Sequence, residues 1–265
     1  MHVIDVHAHI YPDAIAQKAA ESIGAFYEMP ISFDGTLGTL LQLSKQANIS
    51  LSLVHSVAIT WTRVKSVNNF LMQAVAENPS SLIGFGTLHP DFPNPRKELE
   101  RIKAGGLLGV KIHPDFQQFY LDDPKSLALF AHMAELNMPL LSHVGDHRYA
   151  FSEPVRLVRV LDAVPDLKVI GAHLGGWSIW MDAWKVLAGR PNLWVDCSSS
   201  LYAMQPQQAA DLVHHFGADR VLFGSDYPMW DPGSEIARIL ALPLTKAEHA
   251  AILHQNFEAF LAAFS

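Results

Sequence analysis

The alternation of two periodicities restricts this chain more than any other feature. Short apolar runs rich in β-branched residues recur at 3–7, 51–58, 82–87, 107–113, 139–144, 168–173, 193–197 and 220–225. Segments of helical period lie between them, at 63–76, 95–104, 126–136, 154–164, 178–187 and 206–216. Strands separated by helices are joined by crossovers, so they lie parallel in one sheet. Eight such strands in 265 residues fit a closed (β/α)8 barrel, typically about 250 residues long, better than an open doubly wound sheet. No repeat, low-complexity tract or linker interrupts the pattern, and residues 1–265 are expected to form one domain.

The stretch 11–50 exceeds what one crossover needs. It has helical period at 13–23, is irregular at 24–35 and is helical again at 37–46, and is expected to lie as a flap over the barrel mouth. Beyond the eighth strand, 233–240, 246–254 and 257–264 read as extra C-terminal helices that seal the outer ring. The last two start after Thr245 and Asn256, both suited to be N-caps.

Catalytic groups of such a barrel project from the C-terminal ends of its strands. The first strand ends Asp5-Val6-His7-Ala8-His9, and strand alternation places His7 and His9 on one side, a pair able to chelate an ion. The fifth ends at His143, the sixth at His173 and the eighth at Asp226. Closure makes the eighth strand a neighbour of the first, which delivers Asp226 beside His7 and His9, with His143 entering from across the mouth. Three imidazoles and a carboxylate suit one divalent ion, zinc first, with manganese, iron, cobalt or nickel also compatible with the donors. Such an ion lowers the pKa of a bound water from about 15.7 toward about 7, which supplies a nucleophile without a reactive side chain. For any single strand-end histidine a satisfied structural imidazole is the ordinary alternative. The ordered set argues against that reading.

Composition removes other classes. The net charge is −7 and the basic residues are scattered, so no stripe is present to neutralise a phosphate backbone, and nucleic acid is not an expected partner. The single cysteine, Cys197, rules out an internal disulfide and has no histidine close in sequence to activate it. No apolar stretch reaches about 18 residues, and the polar N-terminus lacks the apolar core of a signal peptide. A cytosolic protein without a membrane span is expected, acting on a small molecule, with a homodimer left open.

Read in order, Asp5-Val6-His7-Ala8-His9, Gly109-Val110-Lys111-Ile112-His113-Pro114, His143, His173-Leu174-Gly175-Gly176 and Gly224-Ser225-Asp226-Tyr227-Pro228 resemble the motifs of the amidohydrolase superfamily. The resemblance spans the chain and is closest in kind to the branch of aminocarboxymuconate-semialdehyde decarboxylase and the aromatic-acid decarboxylases. It implies that His7, His9 and His143 bind the metal, that Asp226 both ligates it and accepts a proton, and that His173 is the acid/base beside the bound water. It also raises a carbamylated Lys111 bridging two ions, against which the four ligands already named complete a mononuclear set. The C-terminal Gln255-Asn256-Phe257-Glu258 follows the family's closing Gly-Asn-Ala only loosely, and the long insertions of the decarboxylases are missing.

Three residues are candidates for substrate contact. Arg148, on the loop after the fifth strand, can pair a carboxylate bidentately. His113 shares a face with Lys111 and is expected to reach the mouth. Trp177 opens a stripe with Trp180 and Trp184 that otherwise reads as packing. His55, His89 and His147 are expected to be supporting or surface residues, and His214 and His215 to lie on an outer helix. Hydrolysis of an amide, ester or lactone is the first functional reading. Non-oxidative decarboxylation of a small unsaturated or aromatic acid is the second, and a barrel that binds metal without turnover the third.

Overall fold

A computed structural model describes residues 2–264. Eight parallel strands pair in sequence order: β1 (Ile4–His9), β2 (Leu51–His55), β3 (Leu82–Thr87), β4 (Gly109–Ile112), β5 (Leu140–Ser142), β6 (Val169–Gly171), β7 (Leu193–Asp196) and β8 (Val221–Leu222). Residues after β8 bond back to β1: Val6 N–H donates to Phe223 O at 2.8 Å, Asp226 N–H to His7 O at 2.8 Å and His9 N–H to Tyr227 O at 2.7 Å. The sheet is therefore the expected (β/α)8 barrel, with a strand at each of the eight apolar runs. Helices cover the outside. Those beginning at Pro95, Pro114, Pro124, Pro154, Pro206 and Pro232 open on proline, whose fixed φ and missing N–H are harmless in a first turn.

The segment after β1 forms α1 (Asp13–Tyr27) and α2 (Leu37–Gln46), and α1 covers the barrel mouth. α1 runs a turn further than its periodicity suggests, through Gly24. A Cβ at Gly24 would come within 2.8 Å of both Ile31 Cγ1 and Met29 O, so this glycine serves close packing rather than breaking the helix. A second correction falls at the C-terminus. Thr245 caps its helix in a capping box with Glu248, but Asn256 caps nothing. The helix passes through a π-turn at Ala251–Gln255, and the Asn256 amide donates to Ala218 O and Val221 O, both at 2.7 Å. The last helix is thus tied beneath β8. Its Phe257 and Phe260 join Ile4, Val6, Leu53, Phe85, Leu141 and Leu222 in an apolar cluster that fills the barrel at the end away from the histidines.

One irregularity positions the first two histidines. Ile4 and Asp5 pair with Leu51 and Ser52, whereas Ala8 and His9 pair with Val54 and His55, so β1 holds one extra residue between Asp5 and Ala8. Val6 belongs to the interior cluster, and simple alternation from it would turn Ala8 inward. The extra residue reverses the phase, as a β-bulge does: Ala8 packs with Val54 in the main core, and His7 and His9 gather beside His55. Among the described residues no helix is long and apolar enough to cross a membrane.

Candidate metal centre

His7 is fully buried, with Nδ1 2.9 Å from Asp196 Oδ2. A carboxylate only accepts, so Nδ1 carries the proton and Nε2 presents a lone pair. That nitrogen faces Asp226 Oδ1 at 3.5 Å and Lys111 Nζ at 3.1 Å. His9 Nε2 reaches the same Asp226 oxygen at 3.4 Å. His143 Nε2 donates to Gly145 O at 3.1 Å, which leaves Nδ1 as a buried lone pair without a partner among the described residues. His173 Nδ1 donates to Ser198 O at 3.0 Å and likewise frees Nε2. Ring centroids stand 5.3 Å apart for His7 and His9, 5.1 Å for His7 and His173, and 4.9 Å for His143 and His173. The structure therefore brings the four strand-end histidines and Asp226 into one layer.

The backbone bends to present them. His173 and Asp226 both adopt φ of 61°, an uncommon conformation outside glycine that clusters at functional sites. At Gly145, with φ of 85°, a Cβ would meet the Gly176 backbone at 2.7 Å. Only glycine lets the loops after β5 and β6 touch there, and Trp177 N–H then donates to Val144 O at 2.8 Å. This contact sets His143 beside His173.

Charge within the layer is divided between neutral rings and ionised carboxylates. Burial lowers His7 to about 4 and holds His9, His143 and His173 below the ordinary imidazole value. Burial works to raise Asp196 and Asp226 and is the largest single influence on each. It is outweighed by His7 and His173 together with Lys111 at Asp196, and by His7, His9 and His173 together at Asp226, leaving Asp196 at about 2 and Asp226 well below the usual carboxylate range. Lys111 is pushed down to about 8 by burial. Neutral imidazoles with a committed proton on one nitrogen and a lone pair on the other are the ligand form of histidine. The orphaned Nδ1 of His143, costing roughly 1–3 kcal/mol if left unsatisfied, is a donor atom in need of an acceptor such as a cation. His7, His9 and Asp226 converge closely enough to hold a divalent ion, while His143 stands beside His173, with its ligand atoms nearest to those of His113 and Asp115.

Several partners in this layer had no place in the motif reading. Asp196 orients His7. Ser199 Oγ donates to Asp226 Oδ2 at 2.5 Å and itself accepts from Trp230 Nε1 at 2.9 Å. Asp115 Oδ2 lies 3.6 Å from His143 Nε2. Asp196 carried a legible signal, an acid closing a strand at the same level as the histidines. Because it fixes the His7 tautomer, Asp196→Asn is expected to weaken metal binding about 10–100-fold with little change in fold. Metal titration of the variant checks this, and unchanged affinity would remove Asp196 from the centre.

Above the layer lies a cavity of about 610 Å³, with His9, Lys111, His173 and Asp226 among its lining residues. α1 contributes Ile15, Ala19, Ile23 and Tyr27, and the chain after β2 contributes Val57, Ile59, Arg63, Val67 and Phe70. His113 also lines the cavity, as expected. Its Nδ1 accepts from Phe116 N–H at 3.3 Å, so Nε2 donates to the Tyr27 hydroxyl at 2.6 Å.

Arg148 and Trp177 do not line this cavity. The Arg148 guanidinium is occupied by Asp146, at 2.9 and 2.7 Å, and by Phe26 O at 2.6 Å, and it lies over the rings of Phe26, Tyr27, Tyr149 and Trp177. The expected carboxylate clamp is instead a fastener between α1 and the loop after β5. Trp177 is 8% exposed and packs against Tyr27 at 4.7 Å. Trp184 stacks on His215 at 3.8 Å, in keeping with a packing stripe. Arg148→Leu strips the buried Asp146 of its partner and is expected to cost about 2–3 kcal/mol, below the range for a wholly buried pair. Thermal unfolding reads this loss, and an unaltered Tm would show the fastener to be idle.

A sequence model of the amidohydrolase family matches residues 4–262, so the chain belongs to that family. Solved structures resemble it along its whole length. An uncharacterised TIM-barrel protein from Bordetella bronchiseptica shares 21% identity, covering 100% of this chain and 99% of that one, with a TM-score of 0.82. A dihydroxybenzoic acid decarboxylase from Polaromonas, solved with manganese and 2-nitroresorcinol, shares 19% over 100% and 98%, with a TM-score of 0.74. A probable 2-pyrone-4,6-dicarboxylic acid hydrolase from Acinetobacter baumannii, with citric acid bound, shares 19% over 99% and 100%, with a TM-score of 0.71. No protein of curated function matches the sequence.

Proposed function

We propose that the protein is a divalent-metal-dependent hydrolase that cleaves an amide, ester or lactone bond of a small, largely apolar molecule. The placement of Asp226 carries this reading: an ionised carboxylate lining the cavity, within 3.5 Å of ring nitrogens of His7 and His9, with His173 lining the same cavity. When bound there, a divalent ion such as zinc or manganese supplies Lewis acidity to water and carbonyl oxygen. Asp226 is the base. Ser199 occupies its Oδ2, which leaves Oδ1 to take the proton released when water attacks. His173, its Nδ1 proton committed to Ser198 O, takes at Nε2 the proton that Asp226 accepted from water and delivers it to the leaving atom, which returns Asp226 to the carboxylate and His173 to the neutral ring. The Tyr27 hydroxyl accepts from His113, so its own hydrogen is free to bond a substrate oxygen. The aliphatic and aromatic walls suit a neutral acyl or aryl body. Arg63, exposed where it lines the cavity and with no side-chain partner among the described residues, meets an acidic group at the substrate's outer end.

Decarboxylation is the second reading, favoured by Lys111, whose buried nitrogen lines the same cavity as a cation able to hold a carboxylate. A paired screen tests the two. Protein purified without a nickel tag is loaded separately with Zn2+ and Mn2+ and offered lactones, esters, amides and aromatic acids, with acid release and carbon dioxide followed together. Turnover of a neutral ester or lactone without carbon dioxide supports hydrolysis. Carbon dioxide from an aromatic acid, with no neutral substrate cleaved, overturns it and leaves the centre intact.

A further inference from the structure

His55 ends β2 directly beside His9 in the strand register. Its side chain is fully buried, and among the described residues neither ring nitrogen has a hydrogen-bond partner. It is the one buried histidine there that lacks a partner at both nitrogens. The ring stands edge-on to His7 at 4.7 Å and to His9 at 4.4 Å. One nitrogen from each of the three rings lies within 4.8 Å of the other two.

Packing does not explain an imidazole here. A neutral ring brings one N–H and one lone pair into the interior, and buried polar atoms are nearly always satisfied. A phenylalanine would fill the same space with nothing left unmet. Edge contact with two other rings offers the N–H only a weak acceptor. A cation beside His7 and His9 satisfies the lone pair outright, and the distances among the three rings allow it. We propose that His55 is a further ligand of the divalent ion held by His7 and His9, supplied by β2. The motifs through which the chain resembles amidohydrolases lie on strands 1, 4, 5, 6 and 8, so this donor is additional to them. The inference rests on the reading of this layer as a metal centre.

Co2+ titrated into the metal-free full chain tests both, through its visible absorption and its dissociation constant. His55→Phe keeps the bulk of the ring and removes both nitrogens, and His55→Gln keeps a polar group. Both are expected to bind Co2+ at least about 100-fold more weakly, the upper end of what losing a hydrogen-bond partner behind a ligand costs, with shifted absorption bands. Metal-free His55→Phe is expected to unfold at a Tm no lower than the wild type, because an unsatisfied ring has been removed. Wild-type affinity and spectrum in both variants would overturn the role of His55 and leave the centre standing. Failure of the wild-type chain to bind Co2+ would overturn the centre itself. If His55→Phe does not fold, the affinity and spectrum of His55→Gln decide the matter alone.

Discussion

His173→Asn is expected to leave the protein folded and metal-loaded while lowering turnover about 10²–10⁴-fold, the usual contribution of a positioned acid/base. The ring lines the cavity, its Nδ1 proton is committed to Ser198 O, and its Nε2 is free to receive and return a proton. Asparagine retains an N–H for the Ser198 carbonyl and so preserves the local structure, but it cannot exchange a proton near neutrality. Metal content and kcat on the substrate found by screening are the two measurements. Retained metal with lost kcat supports the role. Lost metal would make His173 a ligand, with Asp196 and His7 as the group around it, and Lys111 would then become the suspect bridge of a binuclear site.

His7→Ala and His143→Ala are expected to abolish stable metal binding and, with it, turnover. Each removes a nitrogen whose proton is fixed elsewhere and whose lone pair belongs to the centre. The barrel should survive, because the apolar core runs through all eight strands and the outer helices without using these rings. Metal analysis and thermal unfolding are read together. Full occupancy in both variants would remove the two histidines from the centre, and global unfolding would make the ion a structural one.

The strand ends were legible because a barrel sends every strand toward one mouth, so a polar residue closing an apolar run has a known destination. His7, His9, His143, His173 and Asp226 stand out for that reason. Asp196 closes β7 in the same way and was overlooked beside Cys197, an inert buried thiol. His55 closes β2, but its meaning depends on what fails to surround it, and absence of a partner is not written in a sequence. Arg148 is turned away from the cavity for a local reason. Asp146 takes φ of 117°, which lets two residues so close in the chain form a bidentate pair. Gly24 and Asn256 misled in a similar way, since each acts on chain distant from its own helix turn.

The extra residue in β1 has a consequence for how this protein can change over time. Within one step of the chain, from Val6 to His7, the barrel interior passes from an apolar plug to an ionisable layer. Below that boundary the residues that hold the fold are sealed by the C-terminal helix, and above it the reactive groups stand at strand ends and on the loops that follow them. Substitutions can therefore accumulate in the upper part, altering chemistry or substrate preference, while the lower part keeps folding capacity in reserve. Deleting Val6 would remove the extra residue and leave regular alternation, with His7 and His9 still on the inner face but the apolar plug one side chain short, so the site could survive a change whose cost falls on the plug.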